Sequence, residues 1–399
     1  MKLSNALRTE ALSDEAAFDL LADEWDQLLD DSQQRVYFLR PHWNRLWWRC
    51  FQPSDSRLFL ITCRDESGRL VGLAPFYWRQ RRSAGLPHIR DILFLGTGIY
   101  TQTSEYLDII ARRGLERIVA EEVANFLCRN EEWDRLWLNE IPAASAVLAH
   151  LCRAINDCAA GESLELAICN RSSYIDTQRT WNAFTESLSR SKRKNLAYYM
   201  RKVCKSYGCN LRLVRSIEEV EPAMDELVRL HQARWQSKGQ PGSFALSGFE
   251  TFLRETARAA LLDDRLRMWT LELDGKVAAV RLGFFDNRVV HDLQGGFDPS
   301  YAKYSLGTVM HGLCIKDCIE DEAVREYDFM GGGDAYKGSW TDLGRESACL
   351  TWLRPGLRSL AYRGIEQAGR VGKSLARATL PATMRAAVRR NVERRHYVK

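Results

Sequence analysis

The sequence predicts an α/β (α+β) protein of two tandem halves, each a mixed sheet flanked by helices, followed by a basic helical tail. Three observations predict this fold class. The chain has 399 residues, which suits two domains better than one. Its apolar fraction of 45% is sufficient for hydrophobic cores. The same order of predicted helices and strands also occurs twice along the chain.

In the first half, apolar residues at helical spacing predict helices over 13–30 and 41–51. Alternating apolar residues predict a hairpin of strands Arg57–Cys63 and Leu70–Tyr77, joined by a turn at Asp65–Gly68. The remaining predicted elements are strands Ile89–Leu95 and Glu105–Ile110, helix Leu115–Leu127 and strand Arg135–Leu138.

The second half repeats this order, with helices Val220–Trp235 and Gly248–Leu262, hairpin strands Leu266–Leu273 and Val277–Phe285, strand Val289–Gly295, helix Ser305–Ile319 and strand Arg325–Met330. Gly68–Tyr77 aligns with Gly275–Phe284 at an offset of 207 residues, and Trp25 aligns with Trp235 at an offset of 210. Two matches at nearly the same offset favour an internal duplication, and two unrelated domains are the alternative. We therefore predict domains over 1–170 and 171–355 and a tail over 356–399.

The basic charge of the protein lies at its end. From Thr351 to Lys399 there are twelve Lys or Arg residues and two Glu, whereas the first 350 residues carry 45 basic and 50 acidic residues. Residues 357–399 have one apolar and one basic face, so they fit a helix on an anionic membrane, a helix docked on the protein, or a solvated end. Because the folded body is net negative, we do not expect a nucleic-acid partner.

The cysteines and the first residues indicate a compartment. Eleven cysteines occur without a C-x-x-C pair, which favours free thiols in a reducing compartment over a zinc or disulfide framework. The acidic first 25 residues do not resemble a signal peptide, and the sequence has no apolar run long enough for a spanning helix. We expect a cytoplasmic protein without a metal, with attachment at the inner membrane through 357–399 as the alternative.

A strand, a loop and a helix near residue 305 predict an anion site. Ser305 is a natural N-cap, and Leu306, Gly307 and Thr308 would offer backbone N–H groups at the positive end of the helix dipole. Such a helix start suits a pyrophosphate, and Gly307 permits close approach of the ligand. A capped helix that binds nothing is the alternative.

Several motifs together resemble a known family. They are LSRSKRKNL at 188–196, LHQARWQSKG at 230–239, GFDPSY at 296–301 with YSLG at 304–307, and DFMGGGDAYK at 328–337 followed by Trp340. In this order they resemble the GNAT acyltransferases, in particular the CelD-like branch of cellulose and exopolysaccharide biosynthesis, which is similar to the Fem-type peptidoglycan aminoacyl transferases. The likeness spans roughly residues 10–350.

The resemblance implies a donor and a set of site residues. The donor would be an acyl-CoA, with acetyl-CoA the first choice, and the acceptor an amine or hydroxyl of a sugar, a polysaccharide precursor or an amino compound. Lys337 would stabilise the oxyanion, supported by Tyr336, and we assign Asp292 as the proton acceptor. Residues predicted to contact substrates are Arg234, Trp235, Lys192 and Arg193. For each of these residues a purely structural or solvated role is the alternative.

Two other functions fit the same fold. The first is an aminoacyl-tRNA-dependent transferase of the Fem type, which the basic segment 188–205 would suit. The second is an inactive scaffold in a polysaccharide synthesis complex. Tyr336, Lys337 and Gly307 together favour an enzyme over the scaffold.

Overall fold

A computed structural model of the chain describes residues 7–81, 88–99, 103–159, 163–332 and 335–364. By its internal contacts the chain divides into two compact units. The first contains the residues up to Cys169 together with those from Ser347 onward, and the second is Asn170–Glu346. The predicted boundaries at 170 and 355 compare with 169 and 346 here.

Both units contain helices and strands. Up to residue 176 the elements are β1 Arg8–Leu12, α1 Ala17–Asp30, α2 Pro41–Phe51, β2 Ser56–Arg64, β3 Leu70–Arg81, β4 Ile89–Phe94, β5 Ile110–Ala111, α3 Glu116–Arg129, β6 Arg135–Pro142, α4 Ala146–Cys158 and β7 Ser163–Asp176. From residue 181 they are α5 Trp181–Ser187, α6 Arg190–Ser206, β8 Cys209–Leu213, α7 Ile217–Gln236, α8 Phe249–Leu262, β9 Leu266–Leu273, β10 Lys276–Asp286, β11 Val289–Phe297, α9 Leu306–Glu320, β12 Glu326–Asp328, α10 Ala335–Gly338 and β13 Gly344–Leu353.

The first unit has a mixed sheet. Its strand order is β1-β2-β3-β4-β6-β13, in which β4 and β6 are parallel and the other neighbours are antiparallel. The short β5 pairs with β3. Strand β13 belongs to this unit from Ser347 onward, because these residues pair with β6.

The second unit repeats the arrangement. Its strands have the order β7-β12-β11-β10-β9-β8, in which β11 and β12 are parallel. In both units two helices precede a hairpin, and a strand, a helix and a parallel strand follow. The predicted fold class of two halves, each a mixed sheet flanked by helices, is therefore confirmed.

Local signals fix the elements that carry the site. Ser189 Oγ accepts the N–H of Lys192 at 3.2 Å and so sets the start of α6. A capping box of Ser216 and Glu219 begins α7. The β9–β10 turn has positive φ at Asp274 and Gly275, which is the backbone that a tight hairpin requires.

The core of the second unit lies between its sheet and the helices α6 and α9. Buried side chains of α9, which include Leu306, Val309 and Ile315, pack with Leu196 of α6 and with Leu271 of β9. Helix α7 contacts β10 and β11 as well. Strand β11 is therefore held firmly, and the residues at its end have fixed positions.

Some sequence predictions differ from the structure. The predicted strand Glu105–Ile110 is wrong except at its end, since β5 comprises Ile110–Ala111 alone. Residues 357–364 are helical, and the rest of the predicted tail lies outside the described residues. Within the described part of the chain, no helix combines the length and apolar character needed to cross a bilayer.

The expectation of free thiols does not hold for two of the cysteines. Cys128 at the end of α3 and Cys158 at the end of α4 form a disulfide, 30 residues apart in sequence. Helices α3 and α4 pack side by side, which brings their last turns together. The sequence spacing of these two cysteines gives no sign of the pairing, because it depends on how the helices pack.

Candidate functional site

A cavity opens in the second unit where its two parallel strands stop pairing. Strand β12 pairs with β11 from Val289 to His291 and then ends at Asp328, while β11 continues to Phe297. The cavity at this edge measures about 310 Å³. It is lined by Arg234, Arg281, Gly295, Gly296, Phe297, Ala302, Ser305, Leu306, Gly307, Thr308, Met310, His311 and Tyr336.

The N-terminus of α9 forms one wall of the cavity. Ser305 has left-handed backbone angles, with φ 49° and ψ 46°, and its carbonyl accepts the N–H of Thr308 at 2.8 Å. Within the described residues, the N–H groups of Leu306 and Gly307 donate to no protein acceptor. All four predicted loop residues therefore line the cavity, and two of them present N–H groups at the positive end of the helix.

The predicted capping role of the Ser305 side chain is wrong. Ser305 occupies the N-cap position, but its hydroxyl makes no capping hydrogen bond. The left-handed conformation lets the Ser305 carbonyl accept N–H groups of the first turn instead, at Thr308 and, at 3.2 Å, Val309. The helix start is thus left open toward the cavity.

Glycines keep the cavity open. A Cβ at Gly307 would lie 3.0 Å from Cε1 of Phe297, and a Cβ at Gly295 would lie 2.8 Å from a guanidinium nitrogen of Arg281. A Cβ at Gly296 would lie 2.5 Å from the backbone nitrogen of His231 in α7. A side chain at Gly296 would meet the backbone of α7, whereas one at Gly307 would meet a ring that needs to move by only a few tenths of an ångström.

A buried ion pair lies beneath the cavity. Arg281 of β10 donates from Nε to Oδ1 of Asp292 at 2.8 Å, and a second guanidinium nitrogen donates to Oδ2. The Asp292 side chain is completely buried, whereas Arg281 reaches the cavity wall. Arg281 holds both oxygens of the Asp292 carboxylate, so Asp292 fixes the position of Arg281. The carboxylate itself does not line the cavity.

His311 is the histidine that faces the cavity. Its Nδ1 lies 3.6 Å from Oδ2 of Asp292 and has no hydrogen-bond partner among the described residues. The ring packs against Phe329, Tyr336 and Trp340. Burial, followed by the positive charge of Arg281 and more distant cations, lowers the pKa of His311 well below its ordinary value. The imidazole is therefore neutral at pH 7 and can accept a proton.

Arg234 lies in the last turn of α7. Its guanidinium carbon is 4.7 Å from the ring centroid of Phe297 and 5.9 Å from that of Trp235. Nε of Arg234 is buried and has no hydrogen-bond partner in the described part of the chain. Burial, followed by the charge of Arg281, lowers the pKa of Arg234. Trp235 is half-buried and does not line the cavity.

Lys192 and Arg193 of α6 have different surroundings. The Lys192 ammonium is 3.7 Å from the ring centroid of Trp340 and 4.8 Å from that of Tyr336. Burial lowers the pKa of Lys192 to about 8. Arg193 is exposed to solvent. The structure therefore brings Lys192 next to the cavity-lining Tyr336 and leaves Arg193 on the surface.

Tyr336 and Lys337 lie on α10. The Tyr336 hydroxyl donates to the Gly307 carbonyl at 3.4 Å. The Lys337 ammonium donates to the carbonyl oxygen of Met330 at 3.0 Å and also to that of Gly331. These bonds fix the ammonium beside the end of β12, although Lys337 itself does not line the cavity.

Sequence reasoning missed His311 and Arg281. Arg281 interrupts the apolar run of β10 between Val280 and Leu282, and a charged residue inside a buried strand is a signal that could have identified it. His311 lies four residues after Gly307, one helical turn into α9, and therefore on the same helix face. That spacing could have pointed to the cavity wall.

Comparison with known proteins identifies what the second unit is similar to. Residues 190–338 match the family model described as an acetyltransferase (GNAT) domain. No curated protein matches the chain. Among solved structures the chain is similar to FemX, with 10% identity and a TM-score of 0.60 over 90% of this chain and 100% of that chain.

Two further solved structures show the same fold. One is the C-terminal domain of a putative lysylphosphatidylglycerol synthetase from Agrobacterium fabrum, with 13% identity and a TM-score of 0.52 over 88% of this chain and 95% of that chain. The other is L-PGS from Bacillus licheniformis, with 11% identity and a TM-score of 0.50 over 88% and 96% of the two chains. The second unit of this transferase therefore matches an acetyltransferase (GNAT) domain over residues 190–338.

Proposed function

We propose that the second unit transfers an acyl group from an acyl-CoA to an amine or hydroxyl acceptor. The observation that carries this proposal is the open N-terminus of α9 in the same cavity as a neutral, buried His311. The first feature suits the phosphates of the donor, and the second supplies a base. Acetyl-CoA is the first donor to test, and the resemblance to the CelD-like branch favours a sugar, polysaccharide precursor or amino compound as acceptor.

Donor binding is assigned to the start of α9. The N–H groups of Leu306 and Gly307 would hold the pyrophosphate of the donor, and the helix dipole would add to the attraction. The aliphatic arm and the thioester would then extend along the end of β11, where Gly295 and Gly296 leave room beside the backbone.

The chemical step requires one proton to move. The acceptor lone pair forms a bond to the thioester carbonyl carbon, and the carbon–sulfur bond breaks with its electrons on sulfur. His311 takes the proton from the attacking nitrogen or oxygen and passes it to the thiolate, so that free thiol leaves. With Nδ1 of His311 turned toward Asp292, Nε2 is the ring nitrogen available to the acceptor.

Arg281 and Asp292 act through His311 in this proposal. The carboxylate at 3.6 Å from Nδ1 favours the imidazolium that forms during transfer, and Arg281 keeps the carboxylate in place. Lys337 retains its proposed role as a fixed ammonium near the developing oxyanion, with Tyr336 as support. In this proposal His311, in place of Asp292, is the direct proton acceptor.

The test is thiol release from acetyl-CoA by the purified full chain with a panel of amine and hydroxyl acceptors. His311→Gln should lower kcat about a hundredfold or more, since general-base catalysis typically contributes 10²–10⁴-fold, and should leave the affinity for acetyl-CoA unchanged. His150→Gln, in the first unit, is the matched control and should behave as wild type. Unchanged turnover in His311→Gln would remove the base from this proposal.

A further inference from the structure

The cavity contains one arginine whose charge the described residues do not balance. Arg281 is paired with Asp292, whereas Nε of Arg234 is buried without a partner in the part of the chain that the structure describes. None of the described residues that line the cavity is acidic. A partly buried cation with a buried N–H left unpaired is energetically unfavourable, so a ligand that supplies the negative charge would be bound more strongly than a neutral one.

Arg234 and the proposed donor-phosphate site lie on different helices, α7 and α9. Phe297 contacts both groups, because the Gly307 Cβ position is 3.0 Å from its ring edge and the Arg234 guanidinium carbon is 4.7 Å from its centroid. The N–H groups at the start of α9 and the Arg234 guanidinium are thus two anion-binding features that both lie near the ring of Phe297. The N–H groups suit the donor phosphates, so the Arg234 guanidinium is available to another ligand.

Arg234 also lies within electrostatic reach of the proposed base. Its positive charge is one of the influences that lower the pKa of His311. Because Arg234 and His311 line the same cavity, a ligand held by Arg234 would place its other groups near His311. The planar guanidinium forms paired hydrogen bonds to a carboxylate, and a monoanion matches its single charge better than a phosphate dianion does.

We infer that Arg234 is the binding site for a carboxylate on the acceptor, so that the acceptor is an amine or hydroxyl compound that also carries a carboxylate. This inference rests on the proposed acyl transfer. Two sources share the required chemistry, an amino acid and an acidic amino sugar. Binding of the carboxylate would also neutralise Arg234 and thereby make the neighbouring His311 a stronger base when the acceptor is present.

The experiment compares acceptors that differ in the carboxylate alone. Amino acids are matched with their amides, and muramic acid is matched with its carboxamide. Each compound is tested by thermal shift without donor and by thiol release with acetyl-CoA, on wild type, Arg234→Gln and Arg234→Lys. Arg229→Gln is the control, because Arg229 lies on the exposed side of the same helix and pairs with Glu226.

The carboxylate form of each pair should stabilise wild type and should be preferred over its neutral counterpart as an acceptor. The effect should occur either with the amino acids or with muramic acid, and that difference identifies the source of the carboxylate. Arg234→Gln should raise the KM for that acceptor roughly tenfold or more and abolish the preference, with acetyl-CoA affinity unchanged. Arg234→Lys should recover part of the binding, and Arg229→Gln should match wild type.

Three outcomes would overturn the inference. They are equal binding of acid and amide forms to wild type, no stabilisation by any carboxylate, and a loss of acetyl-CoA affinity in Arg234→Gln as large as the loss of acceptor affinity. Failure of the proposed acyl transfer is recognised separately, because wild type would then not bind acetyl-CoA at all. The thermal-shift arm without donor still tests Arg234 in that case.

Discussion

Arg281 and Asp292 form an ion pair on adjacent strands, in which the fully buried Asp292 carboxylate is bound by two nitrogens of the Arg281 guanidinium. Gly295, opposite Arg281 across the two strands, has no side chain and leaves the space that the guanidinium fills. This pair is the base of the cavity and connects it to Nδ1 of His311.

Asp292→Asn should strongly destabilise the protein. Removal of one partner leaves a buried charge uncompensated, which typically costs about 3–5 kcal/mol. Urea unfolding of the variant and wild type measures the loss. If Asp292 were solely a proton acceptor, the free energy of unfolding would stay within about 0.5 kcal/mol of wild type.

The activity should persist into mildly acidic solution. Burial and neighbouring cations lower the pKa of His311, so the imidazole stays neutral and basic at pH values below the ordinary histidine pKa. The acid limb of the kcat/KM profile should therefore lie well below pH 6.5. Arg234→Gln removes one of those cations, which favours the protonated ring and should move the limb to higher pH. A limb that does not move in this variant would contradict the electrostatic coupling.

Lys192 should titrate near pH 8. Its burial against Trp340 and Tyr336 lowers the pKa to about 8, so its amine loses the proton as pH rises through that value, below the ordinary range for lysine. Labelling with an amine-reactive reagent from pH 6 to 11, followed by mass spectrometry of peptides, measures the midpoint. The other lysines in the same digest serve as reference. A midpoint above pH 10 would show that the ammonium is well hydrated.

Lys337→Met should reduce turnover and leave donor binding intact. The Lys337 ammonium is held by the carbonyl groups of Met330 and Gly331, which is the pre-positioning that oxyanion stabilisation requires. We expect a loss of roughly 10²–10³-fold in kcat, an unchanged affinity for acetyl-CoA, and poor recovery by Lys337→Arg. Normal turnover in Lys337→Met would leave the lysine as a structural link between α10 and β12.

Sequence patterns predicted the local elements well and the long-range ones poorly. Helix Pro41–Phe51 and strand Leu266–Leu273 have the predicted bounds, because a proline at the first turn, apolar spacing and a tight turn are local signals. Strands β7 and β13 were not predicted. Their pairing partners lie far away in sequence, as Asp176 with Glu326 and Ser347 with Pro142 show.

The same limit applies to the site. The glycine and the start of α9 at Gly307 could be predicted, since a strand, a loop and a helix follow one another in sequence. The approach of His311 to Asp292, at 3.6 Å, could not, because it depends on how α9 packs over β11. The absence of a side-chain cap at Ser305 likewise follows from a left-handed backbone that the residue type does not reveal.

The proposed transfer depends on binding of the acyl-CoA phosphates at the open start of α9. Titration calorimetry of acetyl-CoA with wild type and with Gly307→Val measures this binding. Valine at this position would press on Phe297 and block the approach of a phosphate to the backbone N–H groups. We expect wild type to bind acetyl-CoA. The variant should keep its melting temperature and show no measurable binding of acetyl-CoA. Absence of acetyl-CoA binding to wild type, or equal affinity in a folded Gly307→Val variant, would contradict it.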